Sequence, residues 1–260
     1  MGMREEANAL DPAELVALRR AFARAYTIGD ERGYGYFAGL HGLPLPSYCE
    51  HNTLLFLPWH RAYLYFFERA LQDLDSKANL PWWDWTSPRS HRDGIPGAFR
   101  RTAARANVNP LATGPVRVGQ ADLRRFRADP DNRGALSDGP APWTLRDSDL
   151  GSELPRPETV VRALNAPTFA DLSALLEGIH SSIHTWVGGA MTLISVAAYD
   201  PLFWTHHAMI DRLWYLWQIS GRGSTPPALL DRSLRPFPMT VRDTLDIGRL
   251  GYGYAVRVVG

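Results

Sequence analysis

The sequence predicts a mainly α fold: a single domain with a core of two helix pairs, long loops and few short strands. Three observations predict it. Apolar residues recur at helical spacing in several separate stretches. Between them, residues 86–157 are rich in Arg, Asp, Gly and Pro and carry only isolated apolar positions. No repeat or low-complexity tract divides the 260 residues, a length that suffices for one domain with a substantial core.

The elements follow in order. A first helix is expected to start at Asp11, where Asp11-Pro12-Ala13-Glu14 combines a cap, a proline at the first helical position and an acid in the first turn. Leu15, Leu18, Phe22 and Tyr26 then recur on one face, and Gly29 ends the run. A short helix is expected over 34–40 and a turn at 44–46. Phe56, Trp59, Tyr63, Phe66, Phe67 and Leu71 mark a long buried helix. Residues 86–157 are expected to be mostly loop, and a loop of that length in a compact domain is often functional. Helical periodicity returns over 169–186 and 201–219.

Composition excludes several classes. Hydrophobic residues make up 45% and charged residues 21%, which fits a folded protein and not a disordered one. The net charge of +1 offers no electrostatic attraction to nucleic acid or an anionic membrane, so neither is an expected partner. A single cysteine, Cys49, rules out an intramolecular disulfide. The first residues carry no apolar leader and no run reaches membrane-spanning length, so a cytoplasmic protein is expected. The nine tryptophans serve either as rigid packing units or as the lining of an aromatic-binding pocket.

The eight histidines carry the chemistry. His41, His51 and His60 lie early, His180, His184, His206 and His207 lie late, and His91 stands apart. His180 and His184 are four apart on an expected helix, so both project from one face and can share a metal. His206 and His207 are about 100° apart on a helix, so only one of them is expected to face that metal. The stretch HSSIH lacks the glutamate a zinc hydrolase would place there. Imidazole ligands suit copper as well as zinc, so spacing leaves the metal open.

The surrounding motifs narrow the choice. LPWHRAYLYFFE around His60, DPLFWTHHAMIDRLW around His207, LPWWDWT and the ending DTLDIGRLGYGY together resemble the tyrosinase, catechol oxidase and hemocyanin family. The resemblance runs over nearly the whole chain. It implies a four-helix bundle carrying a binuclear copper site, with His41, His51 and His60 on one copper and His180, His184 and His207 on the other. His206 becomes the pair member that is not a ligand, near the substrate entrance. Phe203, four residues before His207, is expected to pack on the site.

Several further roles follow from the same resemblance. Asp211, four residues after His207, is a carboxylate that could orient an imidazole N–H, or else the partner of Arg61 or Arg212 in an ion pair. Cys49 stands two residues before His51, as where relatives bond the sulfur to the histidine ring; otherwise it is a small buried thiol. Glu177 matches an acid thought to hold the water that deprotonates a phenol, or is an exposed helix residue. Ser181 stands where efficient monophenol hydroxylases commonly carry asparagine, which favours diphenol oxidation over hydroxylation. Ile194, in the loop between the last two second-copper ligands, is expected to wall the pocket. Tyr252 and Tyr254 are expected to pack on an arginine of the first helix, Arg19 or Arg20.

The expected function is therefore oxidation of o-diphenols to o-quinones by O2 at two coppers, with ortho-hydroxylation of monophenols as an added activity. Two neighbouring Cu(I) ions together supply the two electrons that one cannot. The expected partners are a small phenolic substrate and a chaperone that delivers copper. Alternatives are an o-aminophenol oxidase, a hemocyanin-like O2 carrier and a zinc-binding structural domain. The chain ends six residues after Tyr254, so a C-terminal domain shielding the site is not expected.

Overall fold

The computed structural model describes residues 2–44, 47–100, 109–148 and 154–254. Its core is helical, as expected. Strand β1 (Gly2–Arg4) leads into α1 (Pro12–Ala25) and α2 (Tyr34–His41), followed by α3 (Phe56–Leu74). Two short helices, α4 (Pro88–Asp93) and α5 (Gln120–Ala128), precede α6 (Pro157–Leu164), α7 (Phe169–Val187) and α8 (Pro201–Ile219). Strand β2 (Tyr252–Tyr254) closes the described chain.

Local chemistry sets the helix ends. Asp11 caps α1 in a reciprocal capping box: its side chain accepts from Glu14 N–H at 2.8 Å, and Glu14 accepts from Asp11 N–H at 2.9 Å. The helix stops at Ala25, before Gly29, because the Thr27 backbone N–H and hydroxyl both turn back to the Arg24 carbonyl. Thr168 caps α7 and Gly188, at φ +69°, ends it. Asp200 caps α8, with Pro201 at the first helical position.

α3 packs on α1, α7 and α8, and α7 packs on α6 and α8. α8 is buried through Trp214, consistent with a sequence that is apolar nearly all round. α2 lies against the short turn at Ala197–Tyr199, where Tyr34 donates to the Ala198 carbonyl at 3.1 Å. The 86–157 interval is mostly loop with short elements, as expected. It holds α4 and α5; Val116 and Phe126 join the core, and Leu123 is buried. Within it, residues 101–108 and 149–153 lie outside the described residues, as do 45 and 46 of the turn expected at 44–46.

The two strands are a feature the periodicity does not reveal. β1 and β2 pair in parallel, with Arg4 opposite Tyr254, and so join the two ends of the described chain. Three-residue strands are too short to leave a legible alternation. Among the described residues, no helix is long and apolar enough to cross a membrane.

Candidate metal centre

The histidines meet between the core helices. His41 ends α2, His60 lies in α3, and His51 sits on the loop between them. One potential ligand nitrogen from each of these three lies within 4.8 Å of the other two. His180 and His184 on α7 form a second group with His206 and His207 on α8, by the same distance. The groups abut: the His60 and His207 rings stack at 4.5 Å between centroids, and those of His51 and His180 at 5.7 Å.

Hydrogen bonds decide which ring nitrogen is free. Nδ1 of His41 faces the Ile194 carbonyl at 3.1 Å, that of His60 the Phe56 carbonyl at 2.9 Å, and that of His184 the Met191 carbonyl at 2.7 Å. A carbonyl oxygen can only accept, so Nδ1 carries the proton and Nε2 presents its lone pair. Nε2 of His41 and of His60 is buried without a hydrogen-bond partner. On the other side, His207 Nε2 lies 3.2 Å from His180 Nε2 and 3.3 Å from His184 Nε2. A cation bound there would satisfy the Nε2 lone pairs of His41 and His60, which have no hydrogen-bond partner.

Electrostatics keep the rings in the ligand state. Burial lowers the pKa of His51 and His184 to about 4. Burial, reinforced by neighbouring imidazoles, takes His41, His60, His180 and His207 well below the usual histidine range. Neutral imidazoles with free Nε2 atoms fit copper, a metal that imidazole suits.

Aromatic rings brace the centre. Phe203 is buried, stacks on His207 at 4.0 Å and meets His41 edge-on at 4.8 Å, as its spacing on α8 implies. A cavity of about 230 Å³ reaches the centre from solvent, walled by His41, His51, His180 and His184 and rimmed by exposed Asn52, Ser181, Thr192 and Ile194. Glu177 lies on its wall, where burial raises its pKa against the opposing hydrogen bond from Asn52. Beyond Glu177 a groove continues along Ala174, Gly178 and Ser181 of α7 opposite Leu54.

Three expectations need correction. His206 is fully buried, stacks on His180 at 5.2 Å and does not wall the cavity, so it is not at a substrate entrance. Its position on α8 turns it away from the opening, while His207 faces both groups. Asp211 orients no imidazole; of its two expected roles, the structure shows the ion pair with Arg61. It also accepts from Arg4 at 3.1 Å, Tyr252 at 2.7 Å and Tyr254 at 2.6 Å, all buried. Carbonyl oxygens do the orienting for His41, His60 and His184. Finally, the arginine on the tyrosine motif is Arg4 of β1, whose guanidinium lies 3.7 Å from the Tyr252 ring centroid. Neither Arg19 nor Arg20 fills that place; Arg20 instead pairs with Asp75 at the surface.

Cys49 is half-buried, with its sulfur 3.1 Å from the Ser47 hydroxyl. Ser181 donates its hydroxyl to the Glu177 carbonyl at 3.0 Å, one turn back along α7.

A helical core that brings two groups of neutral imidazoles face to face fits a protein that holds a pair of metal ions. Residues 31–220 match the family described as the common central domain of tyrosinase. Tyrosinase of Streptomyces lincolnensis is 35% identical over 223 residues, covering 72% of this chain and 74% of that one. Hemocyanin units G and H of Sepia officinalis are 30% identical over 229 residues, covering 83% of this chain and 37% of the hemocyanin's length. The fold superposes on a functional unit of octopus hemocyanin with a TM-score of 0.80 at 26% identity, covering 98% of this chain and 68% of that one. The chain belongs to the tyrosinase family of type 3 copper proteins. Its two buried histidine clusters fit that family's binuclear copper site.

Proposed function

We propose that the protein is a copper-dependent phenol oxidase that uses O2 to convert o-diphenols to o-quinones. The observation that carries this reading is the cavity. A hole of about 150 Å³ holds a benzene ring, and here about 230 Å³ leads from solvent to both histidine trios. In this reading His41, His51 and His60 hold one copper and His180, His184 and His207 the other. When bound, the copper pair supplies the two-electron exchange between O2 and the phenol. Phe203 limits ring motion of His207 and His41, and Ile194 and Thr192 border the ring of an entering substrate.

Diphenol oxidation is favoured over monophenol hydroxylation. Glu177 is the cavity carboxylate placed to take a phenolic proton, and its raised pKa suits a general base. Ser181 commits its only hydroxyl proton to the Glu177 carbonyl, leaving none to orient a water on the cavity side. Cys49 is proposed to bond to the His51 ring, with the thiol and a ring carbon each giving up one hydrogen to O2 as oxidant. Intact mass after copper loading in air tests this: loss of two hydrogens that Cys49→Ala does not show supports the bond, and an unchanged mass refutes it.

The activity is tested by O2 uptake of the copper-loaded protein with a catechol, the matching monophenol and an o-aminophenol in parallel. Fast catechol turnover with a lag or no reaction on the monophenol is expected. Preference for the aminophenol would replace this reading with an o-aminophenol oxidase. Reversible O2 binding without product would replace it with a carrier.

A further inference from the structure

Among the six histidines of the two trios, five belong to helices and one does not. His51 lies on the loop over residues 47–55 that joins α2 to α3. A helix fixes a side chain's direction through its regular backbone, whereas a surface loop samples many. His41, His60 and His184 are further held by a carbonyl on Nδ1. His51 has no such ring hydrogen bond among the described residues.

The backbone next to His51 is held instead. Asn52 has φ +56°, a left-handed conformation that asparagine tolerates and most residues avoid. Its N–H donates to Glu177 Oε1 at 2.6 Å, across 125 positions of sequence. An amide bond to a carboxylate this short is among the stronger hydrogen bonds proteins make. Other hydrogen bonds of the loop stay local: Ser47 and Tyr48 bond back to the end of α2, and Thr53 bonds to Glu50. Among the described residues, the Asn52–Glu177 bond is the one hydrogen bond between this loop and α7, the helix that carries His180 and His184, beside the stacking of the His51 ring on His180.

We propose that Glu177 is a positioning residue: it anchors Asn52 to α7 and thereby holds His51 in place to complete the first trio against the second. This rests on the reading of the trios as copper sites and adds to Glu177 a role distinct from proton transfer. The two roles separate chemically. Glutamine keeps an oxygen that can accept the Asn52 N–H but cannot serve as a carboxylate base, while alanine loses both.

The test compares Glu177→Gln and Glu177→Ala with the native protein by copper titration against a competing chelator, with catechol turnover alongside. Alanine is a strong helix former at this partly exposed position of α7, so the fold is expected to survive, with far-UV circular dichroism and thermal melting as checks. Positioning predicts that the alanine variant loses affinity for one of its two coppers by about 10–100-fold, the range for residues that orient metal ligands. The glutamine variant should bind both coppers as the native protein does. The proposal is overturned if the alanine variant binds two coppers with native affinity, or if glutamine loses copper as badly as alanine. Because copper affinity is read without turnover, failure of the oxidase reading would show separately: native copper binding with no oxidation of any phenol.

Discussion

Arg4 stacks its guanidinium 3.7 Å from the Tyr252 ring centroid and bonds Glu68 with both Nε and Nη2. It also reaches Asp211 through Nη1 at 3.1 Å, and Asp211 pairs with Arg61. Two cations thus face two carboxylates in a site closed to water, joining β1, α3, α8 and β2. Asp211 lies one helical turn beyond His207, so this cluster sets where α8 sits under the centre.

Arg4→Ala should destabilise the fold strongly. It leaves Glu68 and Asp211 with Arg61 as the remaining cation of the cluster, and breaking a buried pair in this way costs about 3–5 kcal/mol. Urea denaturation of the two proteins measures it. A loss below about 1 kcal/mol would mean the strand pairing, not the charge cluster, holds the ends together.

The same cluster predicts a dependence on pH. Burial pushes the Asp211 pKa up, but Arg61 and Arg4 outweigh it and hold the group below the usual carboxylate range. A depressed folded-state pKa contributes stability that is present above the unfolded value, about 3.9, and is lost as pH falls through the folded one. Stability should therefore decline below about pH 4. Asp211→Asn should be less stable at neutral pH and show a shallower acid slope; an unchanged slope would assign acid sensitivity to other carboxylates.

Gly42 controls His41 at a distance of one residue. A Cβ there would fall 2.3 Å from the Ser195 carbonyl oxygen, a backbone atom that cannot step aside cheaply. The neighbouring Ile194 carbonyl is the one that orients His41. Gly42→Ala should shift this loop and weaken binding of one copper by about 10–100-fold, as for other ligand-orienting groups. Chelator titration checks it, and native affinity would show that the loop absorbs the methyl.

Substrate size should depend on Ile194 and Gly178. Ile194 is exposed at the cavity rim, and a Cβ at Gly178 would meet nothing within 4 Å. Ile194→Phe should raise KM for para-substituted catechols more than for catechol, and Gly178→Leu should act only on substituents long enough to reach the groove. Relative rates unchanged across a series of substituents would show that neither residue touches the substrate.

The sequence by itself determined the core helices and singled out the histidines that meet between them. Helical periodicity and i,i+4 spacing are local properties, so the run from Phe56, the His180/His184 pair and the Asp11 cap were all legible. Phe203 was legible for the same reason, being one turn from His207. What only the tertiary structure decided lies between distant segments. The resemblance already named His207 over His206, but that His207 stacks on His60 while His206 stacks on His180 rests on how α8 packs against α3 and α7. Arg4 reaches the tyrosine motif through a strand pairing that spans some 250 positions, and Asp211 chooses arginines and tyrosines over an imidazole because β1 and β2 close around it. The Asn52–Glu177 bond joins a loop to a helix 125 positions away. Spacing along a helix dictates which side chains share a face, but only packing dictates what that face meets.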